Sequence, residues 1–356
     1  MNFKNLGRAA ALGSLFSAAS AQTVCNNSPD LCSKSYGNVT VLGAHDSPFI
    51  SDKSTGYSTS GNQFYNSTVQ LDAGVRLLTA QVHNYDNDST NEWHLCHSSC
   101  ALLDAGKLSD WLVNIKGWLD SNTNDVVTLL LVNSDDASAS DLNGEFRSSG
   151  ITTYAYTPDD TTQPLSNWPT LHSLIANNTR LITFVASLSN TTEAPYLLDE
   201  FTFLYENNYD NTSPSNFSCE PDRPSSVANK PTQAKDSGRL FLQNHFLYSV
   251  DGLGIESPNR AALNTTNGLS GTGSLGEAMS TCAATYDSQP WGVLVDFFNV
   301  GPAIASVDRA NGVTDPQGRA NVSTAQVTRN SSGAVGRVGV SGLALAVVAL
   351  TAVWVL

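Results

Sequence analysis

Eight apolar runs of strand length recur along this 356-residue chain, at residues 39–44, 76–82, 126–132, 151–156, 181–186, 201–205, 239–246 and 291–298. Most are continuous in Val, Ile and Leu rather than alternating with polar residues. That pattern belongs to strands buried on both faces, as in parallel sheets. Between the second and third runs, Leu108, Leu112, Ile115 and Leu119 fall at helical spacing, which gives a helix one apolar face to lay on a sheet. Asn122-Thr123-Asn124-Asp125 then supplies the turn into the third run. Eight such runs fit an α/β fold of the (β/α)8 TIM-type barrel better than an open sheet, because a barrel makes the first and last strands neighbours. Residues 207–236, rich in Asn, Ser, Pro and Asp, read as a long loop tethered by Cys219.

The two ends read as addresses. Residues 1–21 combine Lys4 and Arg8, an apolar stretch, and Ala19-Ser20-Ala21, the form of a secretory signal peptide. Residues 333–356 end in an apolar tail behind the small residues Ser331, Ser332 and Gly333, with no basic flank after it. This reads as a glycosylphosphatidylinositol (GPI) attachment signal, with a membrane span as the alternative. Between them stand a barrel domain at 22–309 and a polar segment at 310–332 that reads as a glycosylated stalk. The expected place of the protein is therefore secreted, at the outer face of the cell surface, as a monomer.

The formal net charge is −14. Loss of both ends makes it more negative, since they carry Lys4, Arg8 and Arg337 and no acid. Such a chain is repelled by nucleic acid and by anionic bilayers, which excludes nucleic acid as a partner. The six cysteines, Cys25, Cys32, Cys96, Cys100, Cys219 and Cys282, are even in number and lie in a secreted context, so three disulfides are expected. Local spacing favours Cys25–Cys32, Cys96–Cys100 and Cys219–Cys282, although other pairings remain formally open. Sequons at Asn26, Asn38, Asn66, Asn87, Asn177, Asn190, Asn211, Asn216, Asn264, Asn321 and Asn330 point to a glycosylated surface.

Barrel closure would gather scattered polar residues, because catalytic groups in such barrels sit at the carboxyl ends of strands. His45 and Asp46 follow the first run, Gln81 and His83 end the second, and Asn133 and Asp135 end the third. Asp296 lies in the eighth run, beside the first. His97, between Cys96 and Cys100, stands on the loop after the second run. Two histidines facing one substrate can act as base and acid in phosphodiester cleavage. A carboxylate beside His45 would hold its ring in one tautomer. A zinc site at Cys96, His97 and Cys100 lacks a second ligand cluster, and structural cysteines are the better reading.

These residues resemble the X-region of phosphatidylinositol-specific phospholipases C, within the PLC-like phosphodiesterase superfamily and its secreted fungal type. The resemblance rests on Leu42-Gly43-Ala44-His45-Asp46-Ser47, on Gln70-Leu71-Asp72-Ala73-Gly74-Val75-Arg76-Leu77-Leu78, on Leu95-Cys96-His97, on the stretch from Trp111 to Ser134, and on Val293-Leu294-Val295-Asp296-Phe297. It implies that His45 is the general base and His97 the general acid, with Asp296 orienting His45 and Asp46 supporting His97. Gln81 and Asn133 are the expected substrate contacts. The implied substrate is a phospholipid or other inositol phosphodiester, cleaved through a cyclic phosphate, with no cofactor. One departure stands out. Where bacterial members carry a phosphate-neutralising arginine and animal members carry calcium-binding acids, this chain has Thr79 and Gln81. Neither is a cation or a strong calcium ligand. Two function classes follow: a metal-independent phosphodiesterase, favoured by His45, His97 and Asp296, and a non-catalytic surface glycoprotein that binds a ligand or wall polymer, favoured by Thr79 and Gln81.

Overall fold

The computed structural model describes residues 23–85, 92–188, 190–250, 252 and 256–329. The expected signal peptide and hydrophobic tail, and the sequons at Asn87 and Asn330, lie outside these residues.

Eight parallel strands make one curled sheet: β1 (Val41–Ala44), β2 (Leu77–Asn84), β3 (Val127–Asn133), β4 (Leu181–Ala186), β5 (Leu197–Asp199), β6 (Leu204–Asn207), β7 (Leu240–Asn244) and β8 (Gly292–Val295). Their spatial order is β5-β4-β3-β2-β1-β8-β7-β6. The first and last strands are neighbours as expected, from Val41 opposite Gly292 to Ala44 opposite Val295. The fold is a TIM-type barrel, and all three disulfides form in the pairing that local spacing favours.

Two of the eight expected runs are revised. Residues 151–156 are no strand: Gly150, at φ 73°, ends the preceding helix and leads directly into a 3-10 turn at Ile151–Tyr154. β3 therefore pairs directly with β4, and the count of eight is made up by β5 on the far side of β4, three residues long and below the length that an apolar run reveals. The sixth run is split. The Asp199 side chain caps a single helical turn at Glu200–Phe203 before β6 begins. Nor does the sheet close by hydrogen bonds. The free edge of β6 pairs antiparallel with Pro221–Arg223 instead of with β5, so a seam is left between β5 and β6.

Period-two alternation sorts each strand into an inner and an outer face. Leu42, Ala44, Leu78, Leu129, Leu131, Val293 and Val295 join the outer core, beneath α1 (Ser67–Ala73), α2 (Leu108–Ser121), α3 (Ala139–Ser149), α4 (Leu275–Tyr286) and α5 (Ala303–Asn311). Leu77, Leu130, Phe184, Leu204, Leu242 and Leu294 belong to a second buried cluster that fills the barrel. Gly43 lies in this inner layer. A Cβ there would come within 2.4 Å of Leu294 Cδ2 and 2.9 Å of Leu77 Cδ2, so any other residue would force these two buried leucines to shift.

The expected stalk is not free of the domain. Its first residues complete α5, and residues 312–329 then form a strap running from the foot of the barrel to its mouth. At the foot, Asn311 bonds Thr40, Gln317 exchanges hydrogen bonds with Asn27, and Arg319 grips Asp308 through two 2.7 Å contacts. Higher up, Asn299 Nδ2 donates to Ser323 O, Gln326 Nε2 donates to Arg260 O, and Val327 packs against the cluster of Phe64, Leu263, Phe297 and Val300. The polar composition that reads as a stalk is used in backbone and side-chain hydrogen bonds to the barrel wall.

The foot is held by a buried cation. Arg76, 4% exposed, bonds Asp125, Asn27 and the carbonyls of Leu71 and Val75. Replacing one partner of such a pair leaves the other carboxylate poorly compensated. We expect Arg76→Ala to lower unfolding free energy by about 3 kcal/mol or more, read as a drop in urea midpoint at unchanged slope.

Candidate active site

Strand alternation carries the inner face up to the mouth. Above Gly43 on β1 comes His45, above Leu294 on β8 comes Asp296, and on β2 Thr79 and Gln81 follow Leu77. His45, Thr79, Gln81 and Leu294 line a cavity of about 200 Å³, together with Val132, Ala186, Glu206, Asn244, Phe246 and Arg223 among others. Asp296 lies beside His45, level with it on the neighbouring strand end.

His45 Nδ1 donates to Asp296 Oδ1 at 2.9 Å, which leaves Nε2 as the free acceptor facing the cavity. Asn62 Nδ2 donates to the same carboxylate oxygen at 3.0 Å. Gln63 Nε2 donates to the carbonyls of His45 and Val295, tying the two strand ends together. The His45 ring stacks on Phe246, with centroids 3.7 Å apart and planes 5° from parallel. The imidazole is therefore fixed by a hydrogen bond at one edge and an aromatic face at its side.

Asp46 sits between the two histidines. Its Oδ2 lies 3.7 Å from His45 Nε2 and 3.6 Å from His97 Nε2. Both rings flank one oxygen, within reach of a single phosphate group. Asp46 takes a left-handed backbone conformation, φ 49°, and Thr79 Oγ1 accepts its N–H at 2.8 Å. Gln81 Nε2 donates to Asp46 Oδ2 at 2.7 Å, while its Oε1 accepts the Ser98 N–H at 2.8 Å. The Gln81 amide thus joins β2 to the His97 loop. That loop is drawn tight by Cys96–Cys100 and brought to the mouth by a short strand, Trp93–Cys96, antiparallel to the end of β2.

Burial alone works against a proton on His45. The Asp46 and Asp296 carboxylates, the hydrogen bond to Asp296 and the more distant Glu206 outweigh it, and the pKa rises from 6.5. On the opposite wall, burial and the neighbouring Glu206 hold the Glu200 carboxyl well above its ordinary range. Glu206 accepts from Asn244 Nδ2 at 2.6 Å and pairs with Arg223 at 2.8 Å.

Of the expected site residues, His45, His97, Asp46 and Asp296 meet at one mouth, and Gln81 joins them. Asn133 does not. It ends β3 in the outward phase, and its side chain closes the following turn by bonding Ala137 N and O. His83 pairs with Asp135 and His94 with Asp104, both away from the cavity. Sequence reasoning missed Glu200, Glu206, Arg223, Asn62 and Phe246. Alternation along Leu204 and Glu206, and along Leu242, Asn244 and Phe246, carried a signal for three of the cavity-lining positions. Arg223 carried none, because it enters through the β5–β6 seam from a strand that reads as loop.

A parallel barrel with a histidine–carboxylate mouth defines a TIM-type barrel of the phospholipase C kind. The PI-PLC X family model matches residues 31–311. A PI-PLC X domain-containing protein of Arthroderma benhamiae is 36% identical over 82% of this chain and 90% of its own length. An uncharacterized secreted protein of the same fungus is 36% identical over 80% of this chain and 62% of its own. A phosphatidylinositol-specific phospholipase C of Staphylococcus aureus shares the fold, with a TM-score of 0.52 at 14% identity over 82% of this chain and 98% of that one. A mutant form of that enzyme gives 0.53 at 11% over 78% and 94%. This chain belongs to the PI-PLC X domain family.

The His45–Asp296 pair links pH to stability. Because the folded pKa lies above 6.5, the contribution of protonated His45 is fully present below pH 6.5 and is lost as pH rises through the folded value. In Asp296→Asn the His45 pKa should fall, and that contribution should shrink. A proton NMR titration of the His45 ring, paired with urea melts across the same pH range, measures both.

Proposed function

We propose that this protein is a phosphoric diester hydrolase that cleaves an inositol phospholipid or a related phosphodiester by paired histidine catalysis. The observation that carries the reading is the placement of two imidazoles on one carboxylate oxygen, one of them oriented from behind by Asp296. In the proposed step, His45 Nε2 takes the proton of a headgroup hydroxyl. The freed oxygen attacks phosphorus, the bond from phosphorus to the lipid oxygen breaks, and that oxygen takes a proton from His97. The products are a cyclic phosphate and the lipid alcohol. Asp296 stabilises the imidazolium that forms on His45, and Asp46 steadies both rings.

The positive charge missing at Thr79 and Gln81 is supplied in this reading by Arg223. Its Nη2 is engaged by Glu206, while Nε has no hydrogen-bond partner among the described residues. Burial and the neighbouring Glu206 push the Glu200 carboxyl well above its ordinary range, which weakens its competition for that charge. A guanidinium held in a small cavity is a fixed electrostatic partner for a diester, and it removes the need for a metal in the proposed mechanism.

Purified protein should release a cyclic inositol phosphate from phosphatidylinositol in the presence of EDTA. His45→Ala and His97→Ala should each lower turnover roughly a hundredfold or more while the melting profile stays near that of the parent. Arg223→Gln should cost about a hundredfold. No release from phosphatidylinositol or related inositol diesters, or release that survives loss of both histidines, would overturn the proposal in favour of a non-catalytic binding barrel.

We also propose that the protein is a secreted, GPI-anchored glycoprotein. Asn38, Asn177, Asn190, Asn216, Asn264 and Asn321 are exposed, as attachment of a glycan requires. Asn26 and Asn211 are 6% and 2% exposed, and both are tied into backbone hydrogen bonds. Glycopeptide mass spectrometry should find these two unmodified.

A further inference from the structure

Phe297, the residue immediately after Asp296, is fully buried and takes a left-handed backbone conformation, φ 45°. A bulky side chain at positive φ is strained, and it persists only where its surroundings over-determine it. Here they do. Phe297 N donates to Asn62 O at 2.8 Å, its carbonyl accepts from Asn267 Nδ2 at 3.3 Å, and its ring packs on Phe64 with centroids 4.2 Å apart.

One further neighbour is charged. Arg260 lies between the antiparallel ribbon that follows β7 (Tyr248–Val250 with Glu256–Pro258) and the helical turn Leu263–Thr266. Its guanidinium sits over the Phe297 ring at 5.1 Å and over Phe64 at 5.8 Å. Its Nη2 donates to Ser51 Oγ at 2.8 Å and to Ser58 O at 2.6 Å. Both serines belong to the loop after β1, and Ser51 N in turn donates to Gln63 O at 2.7 Å. That loop supplies Asn62 and Gln63 to the His45–Asp296 pair. The backbone of Arg260 is held by the strap, through Gln326 Nε2 on its carbonyl. Burial works against the charge of Arg260, and the Asp296 carboxylate favours it.

We propose that Arg260 is a positioning residue that clamps Phe297 in its strained conformation and thereby fixes the Asp296 carboxylate against His45. A guanidinium suits the task because its plane covers an aromatic ring while its edge donates hydrogen bonds. Arg260 does not line the cavity, so it acts through Phe297, Asp296 and Asn62 and not on a substrate. Its part in turnover rests on the phosphodiesterase reading; its effect on the His45 ring does not.

The test reads that ring. Arg260→Met keeps the stem and loses the charge with both donated bonds. In a proton NMR titration of the full chain, the His45 pKa should be lower in Arg260→Met than in the parent. Removal of a positive charge would by itself raise it, so a fall isolates the loosened contact with Asp296. Arg260→Lys should recover part of the shift, and it provides the same reading at smaller amplitude if Arg260→Met does not fold. In an Asp296→Asn background, Arg260→Met should add little, because the two residues act along one path. A His45 pKa that is unchanged or higher, or a full further fall in the Asp296→Asn background, would overturn the proposal and leave Arg260 a structural clasp. Where the parent releases a cyclic phosphate from phosphatidylinositol, Arg260→Met should lower kcat at least about tenfold at a nearly constant KM; a change in KM alone would also overturn it. A parent without turnover would overturn the catalytic reading, while the His45 titration still decides this one.

Discussion

The pairing of β1 with β8 is the constraint on which the rest of the site depends. It joins residues some 250 positions apart and puts His45 above Gly43 and Asp296 above Leu294 on adjacent inner faces. Gly43 makes that approach feasible, because any side chain there would collide with Leu294 and Leu77. Once the strands are in register, the 2.9 Å bond from His45 to Asp296 follows from strand geometry. The remaining contacts refine it. Gln63 ties the two strand ends, Asn62 fills out the carboxylate, and Phe246 covers the ring face.

The second organising feature is the seam between β5 and β6. The open edge of β6 lets a strand from outside the eight pair there and bring a side chain to the cavity. Here Pro221–Arg223 takes the open edge of β6 and introduces a guanidinium into a cavity whose carboxyl groups are Asp46, Glu200 and Glu206. The Cys219–Cys282 disulfide fastens this loop to α4. The positive charge of the cavity thus comes from an addition to the barrel, whereas β2 contributes the neutral Thr79 and Gln81. Gln81 is committed to bridging Asp46 and Ser98, a role that an amide with both a donor and an acceptor fills and a guanidinium does not.

The strap joins these regions mechanically. Its upper half packs on Phe64 and Phe297 and bonds Asn299, close to the turn that carries Asp296. Asn267 Nδ2 donates to the carbonyls of Asp296, Phe297 and Val300 from the other side. The turn holding the carboxylate is therefore supported from both flanks, and Phe297 is kept at φ 45°. Such support suits a group whose distance to an imidazole must stay fixed.

The sequence by itself determined the class of fold, the three disulfides and the four acidic and imidazole groups that meet at the mouth. Each of these has a local signature: continuous apolar runs, short cysteine spacings, and polar residues placed where apolar runs end. Six of the eight strands announced themselves in this way, while β5 was too short to do so and β6 was obscured by the helical turn before it. The outward phase of Asn133 depended on where β3 begins, which an unbroken apolar run does not mark. Only the tertiary structure decided that Arg223 enters the cavity, that Phe246 stacks on His45, and that the polar segment after α5 clasps the barrel. All three depend on contacts between residues distant in sequence, and local composition carries no record of which surface a strand end or a loop will meet.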